Sequence, residues 1–567
     1  MSLWIYQDYD VIKITHNLQD QIDEMKGTGL VLTDRALQSF AISSQSAGEK
    51  YVNMDKSNKF DLRTYSTGGK TYYLWLFSKT FKHDSNGLTT KEDIDRLIEV
   101  SKLRGSKDSI DALSQSQDPN KNRKLEGVAT GNSFWISGPD TQYYNASNGY
   151  LIADSIENVC EMIEVYEKSL LRDTSFFNIQ NSSNSNILRA INSMNNYVAL
   201  SGYKGPVNSG TNLVTGKELF RGIAKDVTVG PYISQFLIHS YSYNGITIEQ
   251  KYPVENDVTE STNLANYINI QRGIVTGPPN FSGSVSYIYS GRVLGSIVHN
   301  DPLYWAYYNA ALIAHQNGLQ MNYNGNEITS AWTDQGFVDC MSSLADVSLA
   351  ALRVAWHSKY NVGLKLRPEA LAHRISMILS NVFTGTEFDT IKNNLTPGQN
   401  TLDAVFAQNS NHLLTLMYPE GSPTHPSYPA GHAVVAGACS TILKAFFKTH
   451  DSTYNPLPWT PPIQHSTNGI SKITYNEADS KEITICGEFN KLASNISIGR
   501  NIAGVHYRAD GDYGMILGEQ FAIKYLQTKL KEYASTYNEM VKDFKLEKFN
   551  GEYIKITTTN IETLKTR

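Results

Sequence analysis

The sequence has few cysteines and lacks any long apolar run, and both absences narrow the kind of protein it encodes. Four cysteines occur in 567 residues, far apart and without a CxxC pair or the Cys/His spacing of a zinc finger. Neither a disulfide framework nor a structural zinc site is therefore predicted. No segment approaches the run of about 18 apolar residues that a membrane helix needs, and the first residues lack the pattern of a secretory signal. We expect a soluble chain and predict no compartment for it.

Excess charge and several familiar catalytic motifs are also missing. A formal net charge of -5 over the whole chain favours neither nucleic acid nor a membrane surface as partner. The motifs HExxH and GxSxG do not occur. A loop at 210–218 reads GTNLVTGKE, but five residues separate its glycines and a glutamate follows its lysine, so it is not a phosphate loop. The expected partner is a small molecule.

Apolar residues at steps of three and four dominate the chain from about residue 155 onward, as in SIENVCEMIEVYEKSLLRD (155–173) and DPLYWAYYNAALIAHQNG (301–318). This pattern predicts a mainly α-helical protein. The alternation in KFNGEYIKITTT (548–559) predicts a small β-hairpin. A charged stretch at 101–127 suggests a boundary. We expect an N-terminal region at 1–125 that packs on the main domain, a helical domain at 126–535 that carries the active site, and a tail at 536–567.

The segment 341–371 places a lysine on an apolar helical face. Lys359 lies four residues after Ala355 on a stripe of small and apolar residues, so it is predicted to point inward. Pro368 prevents ordinary helix through the preceding turn, which can direct Arg367 to the same point. The alternative is that Lys359 reaches water and Arg367 pairs with Glu369.

The segment 490–514 repeats this arrangement with an arginine and a histidine. Arg500 continues the apolar stripe that includes Ile496, and Gly504 is a predicted helix end. His506 follows on the exit turn, and Asp510 can cap the next helix or reach back to orient the imidazole. Alone, His506 would more often be a structural histidine than a ligand.

A proline-rich loop, PEGSPTHPSYPAGHA (419–433), precedes a further predicted helix. Its prolines at 419, 423, 426 and 429 restrict the backbone and reduce the entropy lost on ordering. His432 is predicted at the start of the helix, facing a core. Gly431 leaves the backbone bare, so its N–H can approach an anion at the positive end of the helix dipole.

Together the three segments place a lysine, two arginines and two histidines in the interior. A buried ion that loses its partner costs about 3–5 kcal/mol, so the group requires an anion. Few acidic residues share these inward stripes. A bound oxyanion with a charge of about -2 or -3 is therefore the better partner, because guanidinium forks and a lysine ammonium are suited to hold one.

These stretches resemble the active-site signatures of vanadium-dependent haloperoxidases, most closely the algal and cyanobacterial bromoperoxidases. The main signatures are KYNVGLKLRPEAL (359–371), PEGSPTHPSYPAGHA (419–433) and IGRNIAGVHY (498–507). Shorter similar stretches are LLRD (170–173), LFRG (219–222), GPYISQFL (230–237) and YNAAL (308–312). The resemblance spans about residues 130–530 and implies a helical fold with two four-helix bundles around bound vanadate.

Carried over residue by residue, the resemblance assigns roles to most of these side chains. Lys359, Arg367 and Arg500 would bind the vanadate oxygens with help from the Gly431 N–H, and His506 would be the protein ligand of vanadium. His432 would exchange protons with hydrogen peroxide, and Lys359 would assist catalysis as well as binding. The implied reaction oxidises bromide, and iodide more easily, with hydrogen peroxide to hypohalous acid, which halogenates small organic acceptors.

Residues around these positions are predicted to support them. Asp510 is the expected partner of His506. His357, Ser358 and His425 are expected near the vanadate site, where they could tune the choice of halide. The resemblance also implies a homo-oligomer, dimeric or larger, and leaves open a structural calcium ion for which the sequence offers no convincing loop.

Phosphatases of the same superfamily are the main alternative, because phosphate and vanadate share shape and charge and the second histidine then becomes the nucleophile. Seven residues separate Lys359 from Arg367, and Gly499 precedes Arg500. Phosphatases resembling this pattern have six residues and a serine, so both features favour the bromoperoxidase type.

One position departs from the family pattern, which reads P-S-G-H where this chain has alanine at 430. The serine hydroxyl that would donate to an oxyanion oxygen is absent at Ala430. A neutral hydrogen bond contributes about 0.5–1.5 kcal/mol, so a weaker but functional vanadate site is expected. A catalytically poor oxyanion-binding homologue is the remaining alternative.

Overall fold

The computed structural model describes residues 59–103, 149–181, 183–256, 262–275, 277–323, 331–534 and 543–566, together with 113, 123–128, 130–132, 135, 138–142 and 144. Most of the charged stretch at 101–127 lies outside the described residues, as do residues 1–58 of the N-terminal region. The structural statements below concern the described part of the chain.

Helices form most of the regular structure. Their bounds are α1 (Lys91–Leu103), α2 (Ile156–Leu170), α3 (Phe176–Asn181), α4 (Ser185–Ala199), α5 (Leu264–Gln271), α6 (Gly291–Ile297), α7 (Trp305–Gln316), α8 (Phe337–His357), α9 (Pro368–Leu379), α10 (Asp389–Leu395), α11 (Gln399–Asn409), α12 (Gly431–Phe446), α13 (Ile485–Ile502) and α14 (Arg508–Ala534). A π-helical turn at Ser358–Gly363 follows α8, and short 3-10 helices occur at Thr130–Asn132, Gln235–Leu237, Thr386–Phe388, Thr396–Gly398 and Ala478–Lys481.

The strands form small antiparallel sheets. Their bounds are β1 (Thr64–Thr67), β2 (Lys70–Tyr73), β3 (Tyr241–Tyr243), β4 (Ile246–Ile248), β5 (Tyr252–Glu255), β6 (Phe281–Ser286), β7 (Ile463–His465), β8 (Lys472–Thr474), β9 (Phe544–Glu547), β10 (Tyr553–Ile556) and β11 (Ile561–Lys565). They pair as β1–β2, β3–β4, β5–β6 and β7–β8, and β10 lies between β9 and β11. The mainly helical fold and the C-terminal hairpin are confirmed, and a third strand extends that hairpin.

Helix α12 is the centre of one helical group and packs against α8, α13 and α14. Glycines allow α12 and α14 to approach closely. A Cβ at Gly437 would lie 2.0 Å from the carbonyl oxygen of Met515, and one at Gly518 would lie 2.0 Å from that of Val434. Both substitutions would force the helices apart, so these glycines fix the backbone that carries the functional residues at the helix ends.

A second helical group contains α2, α4, α10 and α11, and α9 packs against α2. Helix α13 also contacts α2 and so joins the two groups. Local sequence fixes where several of these helices begin. The Ser155 side chain accepts a hydrogen bond from the Asn158 N–H at the start of α2, and Thr484 does the same for Gly487 at the start of α13.

The described N-terminal residues pack on the segment that follows α8. Phe77 and Phe81 share an apolar cluster with Tyr360 and Leu364, and the Lys79 ammonium lies 2.8 Å from the Glu369 carboxylate. The N-terminal region therefore contacts the turn that carries Lys359.

Among the described residues, no helix combines the length and apolar character that crossing a membrane requires.

Candidate active site

Lys359 is fully buried and bonds to the proline-rich loop. Its ammonium donates to the carbonyl oxygens of Pro426 at 2.7 Å and Ser427 at 2.9 Å. Burial holds the pKa of Lys359 well below its ordinary value, and the nearby Arg367 guanidinium lowers it further. The predicted inward direction of Lys359 is confirmed.

The route by which Lys359 turns inward differs from the predicted one. Helix α8 ends at His357, and Lys359 lies in the π-helical turn Ser358–Gly363 rather than on a continuous α-helix. Leu364 follows in the left-handed region at φ +47°. π-helical turns occur often at functional sites. Here the turn changes the direction of the Lys359 side chain relative to a continuous α-helix.

Arg367 is buried at the start of α9 and contacts the proline-rich loop and the turn that carries His506. Its Nε donates to the His425 carbonyl at 2.9 Å, and its Nη1 donates to the Val505 carbonyl at 2.8 Å and to His506 Nε2 at 3.0 Å. Burial lowers the pKa of Arg367 to about 9, with a contribution from the Arg500 guanidinium.

Arg500 is the third buried cation and lies near the end of α13. Its Nη1 donates to the Val298 carbonyl, and its guanidinium lies 5.4 Å from the centre of the Tyr418 ring. Its Nε is buried and, within the described residues, has no acceptor. The helix ends as predicted, since Gly504 adopts φ +82° just after α13.

The hydrogen bonds of His506 define its tautomer. Arg367 can only donate, so His506 Nε2 accepts at 3.0 Å and the opposite nitrogen, Nδ1, donates to Asp510 Oδ2 at 2.9 Å. Burial and the Arg367 guanidinium hold the pKa of His506 well below its ordinary value. His506 is therefore a neutral imidazole that presents the lone pair of Nε2 to Arg367.

Asp510 reaches back to His506, as the four-residue spacing predicts, and also caps the next helix. Its carboxylate accepts from Ser427 Oγ, from the Tyr507 N–H at 3.1 Å and from the Lys365 ammonium at 3.3 Å. Burial raises the pKa of Asp510, but Lys365 and the hydrogen bonds outweigh this effect and hold it below its ordinary range. Asp510 thus remains an anion that fixes the His506 ring.

His432 lies at the start of α12 but does not face a closed core. Its side chain is 27% exposed, and its Nε2 lies 2.8 Å from Asp301 Oδ1. Asp301 Oδ2 accepts from the Trp305 indole at 3.0 Å. Burial raises the pKa of Asp301, and His432 and Arg500 lower it by more, so the carboxylate stays charged.

Asp301 is the residue that sequence reasoning missed. It lies 131 positions before His432, just before α7, and no local spacing connects the two residues. The available signal is an acidic residue that precedes a proline at a predicted helix start, which is too common to indicate a function.

Ala430 is the N-cap residue of α12 and, as alanine, supplies no side-chain hydrogen bond there. Its N–H donates to the Asp510 carbonyl at 2.9 Å, which ties the start of α12 to the His506 turn. A Cβ on Gly431 would lie 3.1 Å from the Trp356 ring and 3.2 Å from Leu352. A side chain at 431 would therefore crowd the wall beside Lys359.

Of the other predicted neighbours, His425 contacts these cations. His425 accepts from Arg367 Nη2 through Nδ1 at 2.9 Å, and its ring lies 4.5 Å from that of Trp356. Burial, Lys359 and Arg367 hold the pKa of His425 well below its ordinary value. Ser358 is buried, and its Oγ has no hydrogen-bond partner within the described part of the chain. His357 Nδ1 lies 3.0 Å from the Gly131 carbonyl oxygen.

The alternative that Arg367 pairs with Glu369 is wrong. The Glu369 carboxylate pairs instead with Lys79, at 2.8 Å, and accepts from the Ser422 N–H. Lys359 does not reach water either, since it is fully buried. Nothing in 341–371 could reveal the partner of Glu369, because Lys79 comes from the N-terminal region.

These residues fit a bound oxyanion. In the described part of the chain, none of Lys359, Arg367 and Arg500 forms an ion pair with a carboxylate, although all three are buried. Their hydrogen bonds go to backbone carbonyls or imidazole, and Arg500 Nε remains unused. An oxyanion of the size of vanadate would offset the repulsion among the cations, and His506 Nε2 offers a neutral nitrogen ligand for its metal.

Comparisons with known proteins agree on one family. The family described as VCPO second helical-bundle domain matches residues 341–535. A vanadium-dependent bromoperoxidase of Corallina pilulifera is 28% identical over 95% of this chain and 99% of its own length. One of Ascophyllum nodosum is 30% identical over 71% of this chain and 72% of its own length.

A solved structure shares the fold. It is described as the homohexameric second vanadate-dependent bromoperoxidase (AnII) from Ascophyllum nodosum, with a TM-score of 0.80 and 24% identity, covering 94% of this chain and 92% of that chain.

Proposed function

This chain belongs to the family of vanadium-dependent bromoperoxidases and is an enzyme of that haloperoxidase type, and from this premise we propose its reaction. It oxidises bromide, and more easily iodide, with hydrogen peroxide to hypohalous acid, which halogenates organic acceptors. Vanadate is the cofactor that the family implies. The halide choice and the role of each residue are part of the proposal.

The observation that carries the site assignment is a group of three buried cations that, among the described residues, form no ion pair, one of which contacts a neutral histidine. We propose that Lys359, Arg367 and Arg500 hold the vanadate oxygens and that the Gly431 N–H at the start of α12 adds a donor. Arg367 donates to His506 Nε2 in the structure. A bound oxyanion is the stronger acceptor for a guanidinium, so Arg367 would release the Nε2 lone pair for vanadium.

When bound, vanadate supplies a Lewis-acid centre that makes hydrogen peroxide open to attack by halide. The chain's own groups manage charge and protons around it. Lys359 would add positive charge beside the bound oxyanion. Its hydrogen bonds to the carbonyl oxygens of Pro426 and Ser427 hold the ammonium in place. The same anion would also return the pKa of Lys359 towards its ordinary value, because it favours the ammonium form.

His432 is the proposed acid–base group. The Asp301 carboxylate can only accept, so His432 Nε2 carries the hydrogen and Nδ1 carries the lone pair that takes a proton from hydrogen peroxide. Asp301 stabilises the imidazolium that results. We propose Asp301 as the residue that positions His432, in the same way that Asp510 positions His506.

Adding vanadate to vanadate-free protein tests the proposed reaction. We expect bromide and iodide oxidation that depends on both vanadate and hydrogen peroxide, and no turnover of p-nitrophenyl phosphate in the same preparation. Phosphate-ester hydrolysis without halide oxidation would establish the phosphatase alternative. Vanadate binding without any bromination would instead support an oxyanion-binding homologue.

The Ala430→Ser variant tests the one departure from the family pattern. A serine at this N-cap should donate to a vanadate oxygen and improve the cap, which stabilises a helix by about 0.5–2 kcal/mol. We expect a vanadate dissociation constant roughly two- to twelvefold lower, which corresponds to one hydrogen bond of about 0.5–1.5 kcal/mol. Vanadate titration measures it, with Ala438→Ser in the middle of α12 as the control. An unchanged constant would show that the hydroxyl is dispensable here.

We also propose that the chain forms a homo-oligomer, dimeric or larger, in keeping with the homohexamer of the Ascophyllum nodosum protein. The prediction of structural calcium gains no support. Among the described residues, no group of three or more histidine, cysteine, aspartate or glutamate side chains is placed to hold a metal ion.

A further inference from the structure

A cavity of about 530 Å³ lies behind Asp301. Its walls are formed by the hairpin β3–β4, the strand pair β5–β6, the end of α6 and the start of α7. The aromatic residues that line it are Tyr241, Tyr252, Phe281 and Trp305. A volume and lining of this kind suit a small, planar, apolar ligand.

The cavity shares a carboxylate with the proposed acid–base group. Asp301 lines the cavity, and its two oxygens accept from the Trp305 indole at 3.0 Å and from His432 Nε2 at 2.8 Å. The Trp305 ring in turn meets that of Tyr252 edge to face, with centroids 5.8 Å apart. A ligand held against these rings would therefore lie beside the carboxylate that positions His432.

The charges in the lining exclude some classes of ligand. The cavity is lined by three carboxylates, Glu249, Glu255 and Asp301, and by one lysine, Lys251. A sulfonate or carboxylate on the ligand would meet this negative surface unfavourably. The charge thus favours an uncharged phenol over an anionic one.

Glu255 adds a requirement for a hydrogen-bond donor. Its Oε1 accepts from His299 Nδ1 at 2.7 Å, whereas its buried Oε2 has no donor within the described residues. A buried acceptor without a donor is unfavourable, so a ligand hydroxyl that reaches Glu255 would be preferred over an aromatic ring without one. Phe281, which pairs with Glu255 across β5 and β6, supplies an adjacent ring.

We propose that this cavity binds the organic acceptor of the reaction and selects neutral phenols. The proposal rests on the haloperoxidase function proposed above. In the halogenation step, a ring carbon attacks hypobromous acid, so that a carbon–bromine bond forms and the bromine–oxygen bond breaks. The ring then loses its proton, and the departing hydroxide takes up one proton to give water.

A competition experiment with the vanadate-loaded enzyme tests the selection. Phenol and 4-hydroxybenzenesulfonate are brominated in one mixture, and the product ratio is compared with that given by reagent hypobromous acid. We expect the enzyme to favour phenol by roughly tenfold more than the reagent does, the scale at which a few contacts discriminate between substrates. A ratio equal to the reagent ratio would overturn the proposal.

Two exposed residues of β6 give a matched pair of variants. Phe281 lines the cavity and is 48% exposed, whereas Val285 lies on the same strand at 57% exposure and does not contribute to the lining. Phe281→Ala should move the product ratio towards the reagent value, and Val285→Ala should leave it unchanged. Because both products come from one mixture, a change in turnover cancels from the ratio.

Direct binding gives a readout that needs no turnover. Saturation-transfer NMR with phenol on vanadate-free protein should show contact with the wild type and with Val285→Ala, and a weaker signal with Phe281→Ala and Glu255→Gln. Absence of contact with the wild type would reject the cavity as the acceptor site. If the enzyme oxidises no bromide, the proposed function fails, and the NMR experiment still decides whether the cavity binds phenol.

Discussion

His506→Ala is expected to abolish vanadate binding and, with it, halide oxidation. His506 is the proposed protein ligand of vanadium, and its neutral Nε2 is presented by the hydrogen bond from Nδ1 to Asp510. Removing a group outside the ligand sphere costs 10–100-fold in affinity, so removing the ligand itself should exceed about 100-fold. Equilibrium dialysis with vanadate measures the loss directly, and triiodide formation with hydrogen peroxide measures the loss of turnover.

The fold should survive this change, because Asp510 keeps its bonds to Ser427, Lys365 and the Tyr507 N–H. His465→Ala is the matched control, since His465 is also buried but lies on β7, where its Nδ1 lies 3.1 Å from the Ser466 carbonyl oxygen. It should bind vanadate as the wild type does. Wild-type affinity in His506→Ala would refute the assignment of His506 as the ligand.

The sequence predicts which cations are buried better than it predicts what holds them. Helical spacing alone indicates that Lys359 points inward, and the structure agrees. The spacing cannot indicate that Lys359 lies in a π-helical turn, because the change of pitch depends on how the chain packs after α8. Local periodicity thus indicates which side chains are buried. The type of helix that carries them depends on packing against residues distant in the sequence.

The proline-rich loop has a second role that its composition does not reveal. Its prolines suggest a rigid support for Gly431 and His432. The structure shows that the loop also supplies the carbonyl oxygens of His425, Pro426 and Ser427, which accept from Arg367 and Lys359. Every residue has a backbone carbonyl, so the sequence cannot indicate which ones accept hydrogen bonds from these cations. Only the structure identifies them.

Long-range pairs account for the rest of what the sequence does not predict. Asp301 meets His432 across 131 positions, and Lys79 meets Glu369 across 290. In each pair, the sequence around one residue gives no indication that the other residue is its partner. The N-terminal region illustrates this, since it contributes Lys79 to a buried ion pair with Glu369, two residues after Arg367.

Asp301→Asn should lower turnover by about 10–100-fold, the effect typical of losing a residue that orients a catalytic or ligating histidine. Asparagine keeps the shape of the side chain but removes the charge that stabilises the protonated His432. Vanadate affinity should change little, because Asp301 does not belong to the proposed vanadate-binding group. The rate of triiodide formation at saturating vanadate and hydrogen peroxide measures kcat without involving an organic acceptor, and a vanadate titration of the same variant measures affinity.

Asp403→Asn on α11 is the control for the amide substitution itself, since Asp403 is exposed and accepts a surface hydrogen bond from Gln399. It should leave both kcat and vanadate affinity unchanged. A loss of kcat without a loss of vanadate affinity would show that Asp301 positions His432, whereas a purely structural role would not predict this difference. If Asp301→Asn lost vanadate affinity in proportion to kcat, the carboxylate would belong to the binding group. If it lost neither, His432 would not depend on Asp301 for its proton transfer.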